Sequence, residues 1–144
     1  MEILVLQGPN INLIGVQSGK VGERVTLDKI NKGLRQHAHG INLEIQLCFL
    51  QTHKAEKAVS FIQRKRNKAA GILLAPTSWG RYEYSIFDAL QLSALPCIQV
   101  LFDDNYGALH ESDSIYTSLC KKTLLGHPLD VFNNSLDSLL SYIS

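Results

Sequence analysis

Gln7-Gly8-Pro9-Asn10-Ile11-Asn12-Leu13-Ile14-Gly15 follows the apolar run Ile3-Leu4-Val5-Leu6, so turn-forming and polar residues stand at the carboxyl end of a predicted buried strand. Open parallel sheets build ligand sites at such strand ends. Gly8 and Pro9 dictate a tight reversal, and Asn10 and Asn12 offer amide donors and acceptors close to the sheet edge.

Further apolar runs at Leu43 to Leu50, Ile72 to Leu74 and Cys97 to Phe102 alternate with segments of helical period. This β/α alternation predicts an α/β domain with a parallel sheet covered on both faces. In the first main helix Thr26 is the expected N-cap, Leu27, Ile30 and Leu34 share one face, and Gly40 is the expected stop. The second helix is expected over about His53 to Lys68, with Ala55, Ala58, Val59 and Ile62 buried. A third runs from about Tyr84 to Ala94, Lys121 to Leu125 reads as a short fifth strand, and Val131, Phe132, Leu136, Leu139, Leu140 and Ile143 mark a final helix. Between Gly15 and Thr26 the chain is polar and contains glycine, which suits a mobile lid above the sheet edge. Asp103 to Gly107 reads as a loop.

The 144 residues, 45% hydrophobic and 19% charged, suit one domain spanning 1–144 with a substantial core. A net charge of +1 gives no global field that would draw nucleic acid or an anionic membrane. The basic run Arg64-Lys65-Arg66 with Lys68 has no interleaved aromatics, so it reads as a solvated helix face. No apolar run reaches the roughly 18 residues of a membrane span, and no signal-type leader opens the chain, so a cytoplasmic location is expected. Cys48, Cys97 and Cys120 are odd in number and widely spaced, which suits reduced structural thiols better than a disulfide framework or a metal site. The five histidines contain no i,i+4 metal pair with a carboxylate, and neither a phosphate loop nor a Gly-x-Ser-x-Gly elbow is present.

Taken in order, the opening strand and loop, the lid followed by Val25-Thr26-Leu27-Asp28, the strand end Phe49-Leu50-Gln51-Thr52, and Ala75-Pro76 through Asp88-Ala89 resemble the type II 3-dehydroquinate dehydratase family, the shikimate-pathway dehydroquinases. The resemblance runs from residue 1 to about residue 117 with nearly constant spacing and weakens beyond. It implies a flavodoxin-like fold, a homo-oligomer (a trimer, which in the family commonly assembles into a dodecamer), and no metal or cofactor.

The family's reaction is the elimination of water from a cyclic keto acid, and its roles can be carried over position by position. The loop asparagine matches Asn10, and the helix aspartate that reaches a neighbouring subunit's site matches Asp88. The lid tyrosine that acts as base falls on Gly22, and the lid arginine that lowers its pKa falls on Gln17. The enolate-stabilising asparagine falls on Ala75, and the substrate-binding histidine on Arg81. The histidine that supports protonation of the leaving hydroxyl falls on Leu101, and its orienting glutamate on Gln99. The distal arginine corresponds to about Ser112, Tyr116 remains from the family's Ser-Tyr pair, and the entry to the second helix reads His53-Lys54-Ala55-Glu56. A slipped alignment does not restore the base, because the lid contains no tyrosine.

The resemblance, read with these replacements, leads us to expect a lyase-fold pseudoenzyme with no catalytic residues of the family type, acting through binding or assembly. Alternatives are a dehydratase with residual activity and an enzyme or sensor with a repurposed anion-binding pocket. Asn10, Arg81, Asp88 and Gln99 are the candidate ligand-binding residues, with Trp79, Tyr82, Glu83 and Asp103 as further candidates around the cavity. The expected partners are a second copy of the chain, a small anionic ligand and an active paralogue, and no nucleic acid or membrane.

Overall fold

The computed structural model describes residues 1–143. Strands β1 (Glu2–Gln7), β2 (Gln46–Gln51), β3 (Ala69–Ala75), β4 (Cys97–Phe102) and β5 (Lys122–Gly126) form one parallel sheet in the order β2-β1-β3-β4-β5. Helices α1 (Ile14–Lys20), α2 (Leu27–Ile41), α3 (Ala55–Lys65), α4 (Tyr84–Ser93) and α5 (Pro128–Leu140) connect or follow them. This is the expected flavodoxin-like doubly wound sheet in a single domain.

Strand alternation divides the core in two. Ile3, Val5, Leu73, Ile98 and Val100 point to the face covered by α2 and α5, whereas Leu4, Leu6, Ile72 and Leu74 point to the face covered by α3 and α4. Central strands buried on both faces read as unbroken apolar runs, which is why β1, β3 and β4 were legible. Each fully buried Leu or Ile contributes about 1.5–3 kcal/mol relative to exposure, so register is fixed by both layers at once.

Thr26 caps α2 as expected: its backbone is extended and its hydroxyl accepts from the Lys29 amide at 3.2 Å. Gly40 does not end that helix. The last turn continues to Ile41, and Asn42 turns the chain out, its Oδ1 accepting from the Glu44 amide at 2.9 Å. The second predicted helix is shorter than expected and buries Ala58, Phe61 and Ile62, with Ala55 and Val59 half-buried. No helix among the described residues is long and apolar enough to cross a membrane.

From β1 the chain goes first to β2 on one side and then crosses to β3 on the other. The crevice therefore opens above the carboxyl ends of β1 and β3. Gly8 makes this closure feasible, because its amide donates to Ala75 O at 2.9 Å and a Cβ there would sit 2.3 Å from Pro76 O. The two loops that frame the crevice are thus packed backbone against backbone.

Candidate functional site

A pocket of about 530 Å³ opens at this edge. It is built from the β1 loop (Asn10), α1 (Gln17), the segment after β3 (Thr77 and Arg81), the end of β4 (Leu101) and the loop that follows (Tyr106). Asn10 stands in the left-handed region with φ 72°, and Thr77 does so with φ 50°. A β-branched residue with positive φ is strained, and here it is held by its own side chain, whose Oγ1 donates to Pro9 O at 2.9 Å. That bond ties the loops after β1 and β3 across the mouth of the crevice.

Arg81 ends a short 3₁₀ turn, Thr77–Arg81, and its exposed guanidinium donates from Nη2 to Ala108 O at 3.2 Å. The planar fork has further donors, which suits a carboxylate or phosphate beside it.

The lid is not an open stretch. Its first half is α1, and Gln17 Nε2 donates to Asn105 O at 2.7 Å, fastening the helix to the loop after β4. Its second half is tied by buried Ser18, whose Oγ accepts from the Val25 amide at 2.6 Å. Tyr106 donates its hydroxyl to Glu23 Oε1 at 2.5 Å, and His127 Nε2 lies 3.1 Å from Glu23 Oε2. His127 Nδ1 accepts from the Leu129 amide at the start of α5, which assigns the ring proton to Nε2, facing the carboxylate. The Tyr106 hydrogen bond, joined by His127, outweighs desolvation and holds Glu23 below the usual carboxylate range.

The structure brings Asn10 and Arg81 into the same pocket, together with Gln17 and Leu101. Two other candidates lie elsewhere. Asp88 is exposed on α4 and does not line this chain's own pocket, its expected role being toward a neighbouring subunit's site. Gln99 is fully buried: its Nε2 donates to Thr117 Oγ1 at 3.0 Å and Thr123 Oγ1 at 2.9 Å, while Ser114 donates to its Oε1. It lies on the same face of β4 as Leu101 but two residues deeper, where loop hydroxyls from before and within β5 saturate the amide. Trp79 is 1% exposed in the core under α3 and α4, and Tyr82, Glu83 and Asp103 do not line the pocket. Neither do Gly22, exposed with φ 74°, and Ala75, buried at the end of β3.

Thr77, Tyr106 and Leu109 were not anticipated as lining residues. The loop reading of Asp103 to Gly107 at a strand end was the available signal for Tyr106. Its hydroxyl is not poised as a base, because burial first and the Glu23 carboxylate second raise its pKa above that of an ordinary tyrosine. The arrangement can hold an anion beside Arg81, with Asn10 in the same pocket.

The comparisons agree with this architecture. The family model described as dehydroquinase class II matches residues 1–140. The 3-dehydroquinate dehydratase of Carboxydothermus hydrogenoformans is 28% identical over 144 residues, covering 99% of this chain and 92% of that protein. The 3-dehydroquinate dehydratase of Geotalea daltonii is 38% identical over 100 residues, covering 69% of this chain and 68% of that protein. Among solved structures, the type II dehydroquinase from Butyrivibrio crossotus superposes with a TM-score of 0.83 at 24% identity, covering 97% of each chain, which speaks for the fold. With the strand order, the crevice loops and a family match over nearly its whole length in agreement, this chain belongs to the class II dehydroquinase family.

Proposed function

We propose that this dehydroquinase-family protein binds a small carboxylate in the pocket at the β1/β3 crevice, and that it turns over 3-dehydroquinate slowly or not at all. The observation that carries the reading is the meeting of Arg81 and Asn10 in one 530 Å³ pocket whose Leu101 and Gln17 replace proton-transfer and charge-stabilising groups of the family pattern. Loss of a general acid or base typically lowers rate about 10²- to 10⁴-fold, and loss of electrostatic stabilisation about 10²- to 10³-fold. Such losses do not multiply simply, yet Gly22, Ala75 and Leu101 touch every chemical role together.

Residual 3-dehydroquinate dehydratase activity is the second reading, and kinship backs it more directly than it backs loss of turnover. Relatives named 3-dehydroquinate dehydratase align over nearly the entire chain, and the crevice is open. Incubating the protein with 3-dehydroquinate and following the ultraviolet absorbance of the conjugated product separates the two. Turnover at rates ordinary for enzymes would overturn the binding reading, whereas a carboxylate-dependent thermal shift that disappears in Arg81→Ala, without turnover, supports it.

The same proposal places the protein in the cytoplasm, where three free cysteines, two with thiols 3.4 Å apart, suit reducing conditions. It also makes the chain a homo-oligomer, with exposed Leu92 and Tyr84 on α4 as apolar surface for contact, and leaves room for an active paralogue as partner. Native mass measurement of the chain alone and mixed with a dehydroquinase reads both assemblies.

A further inference from the structure

Three of the polar side chains that line the pocket are turned toward the protein itself, while Asn10, Asp104 and Asn105 are exposed. Thr77 Oγ1 donates to Pro9 O at 2.9 Å, Gln17 Nε2 to Asn105 O at 2.7 Å, and the Tyr106 hydroxyl to Glu23 at 2.5 Å. Three side chains that would otherwise meet ligand hydroxyls are therefore already engaged. The buried part of the lining supplies no replacement, because Ile11, Val100, Leu101, Phe102 and Leu109 are each at most 8% exposed and carry no polar side-chain atom. At the exposed part Leu13 and Val16 add more apolar surface. Charge in the lining is equally spare: Arg81 is its one cation and Asp104 its one anion.

We infer that the ligand of this pocket is a monocarboxylate with an apolar ring or branched body, its carboxylate on Arg81 and its body against Leu101 and Leu109, and not a polyhydroxylated acid. The inference rests on the carboxylate-binding reading above and goes further by naming the ligand class. One carboxylate balances Arg81, while a second would face Asp104. A ring hydroxyl carried onto the apolar lining would leave water without finding a partner, which weakens binding by roughly tenfold for each hydroxyl so buried. The pocket volume lies within the range of about 300–1,000 Å³ that small-molecule sites occupy.

Cyclohexanecarboxylate and quinate make a matched pair, the same carboxylated six-membered ring without and with hydroxyls. Calorimetric titration of the full chain with each, and with uncharged cyclohexylmethanol, tests the inference. Cyclohexanecarboxylate is expected to bind at least tenfold more tightly than quinate or the alcohol, and Arg81→Ala, at an exposed position, to weaken it about tenfold while the chain stays folded by circular dichroism. Quinate binding equally or more tightly, with Arg81→Ala still weakening it, would overturn the ligand class and leave the carboxylate site standing. Binding of the alcohol as tight as that of the acid would overturn the role of Arg81. Absence of binding by all three at millimolar concentration would sink the pocket reading and the ligand class with it.

Discussion

Tyr106, in the loop after β4, donates its hydroxyl to Glu23 Oε1 at 2.5 Å and thereby joins the segment following α1 to a residue that lines the pocket. His127 at the start of α5 meets the same carboxylate, so three separate parts of the chain converge on one charge. The lid of this protein is fastened at a titratable group.

Acid should release that fastening. The Glu23 pKa is lowered in the folded protein, chiefly by the Tyr106 hydrogen bond and further by His127, against an opposing desolvation. A depressed carboxyl pKa gives stability that is present above the unfolded value of 4.5 and is lost as pH falls through the folded value. Protection of the α1 amides, taken relative to their intrinsic exchange rates, should therefore fall below about pH 4.5, and Glu23→Gln should flatten that response. Exchange in α1 with the same pH profile in the variant would refute the assignment.

Tyr106→Phe removes the hydroxyl from both Glu23 and Ser18, which it approaches at 3.3 Å. Exchange in α1 should quicken at neutral pH while the core strands keep their protection, because the aromatic ring and its packing remain. Uniform loss of protection through β1 and β3 would show instead that the contact supports the whole fold.

Gly8→Ala places a Cβ 2.3 Å from Pro76 O and 2.8 Å from Thr77 Oγ1, against backbone that has little freedom to shift. Overpacking of this kind costs about 1–3 kcal/mol. Urea denaturation should show that loss together with weaker ligand binding, since the same two loops frame the pocket.

Gln99→Glu puts the resemblance's glutamate back into a site that has no exposed surface. The new carboxylate would lose water without a cation beside it, at a cost of about 3 kcal/mol at neutral pH. Burial raises its pKa, so the variant should gain stability relative to wild type as pH falls and lose it as pH rises. Equal denaturation midpoints for the two proteins at pH 7 would contradict this account of the Ser114, Thr117 and Thr123 cluster.

Cys120 should alkylate before Cys97. Cys97 is 3% exposed, and its hydrogen-bonded contact with the Cys120 thiol together with burial pushes its thiol pKa well up, which leaves little reactive thiolate. Mass mapping after brief iodoacetamide treatment reads the order directly.

By itself the sequence determined the family, through the order and spacing of several segments, and it determined the parallel sheet and the location of the crevice through nearer patterns. The sheet and the crevice follow from local signals: Ile3 to Leu6, Ile72 to Leu74 and Cys97 to Phe102 are apolar runs long enough for buried strands, and Gly8-Pro9-Asn10 can only follow one as a turn. Thr26 was readable as a cap because capping is a contact within a single helical turn. Gly40 misled because Asn42, two residues on, offered the chain a side-chain-supported exit.

Only the tertiary structure decided which polar residues are free to meet a ligand. Gln99 and Leu101 look equivalent along β4, yet one is saturated by hydroxyls from distant segments and the other lines the pocket. Asp88 could be placed on a helix from the sequence, and its absence from the lining of this chain's own pocket could not. The lid read as a loose polar stretch because its anchors, Asn105, Tyr106 and His127, lie about a hundred residues away in the chain. Local pattern sets which backbone forms, whereas the satisfaction of each polar group depends on partners that only folding brings within hydrogen-bond reach.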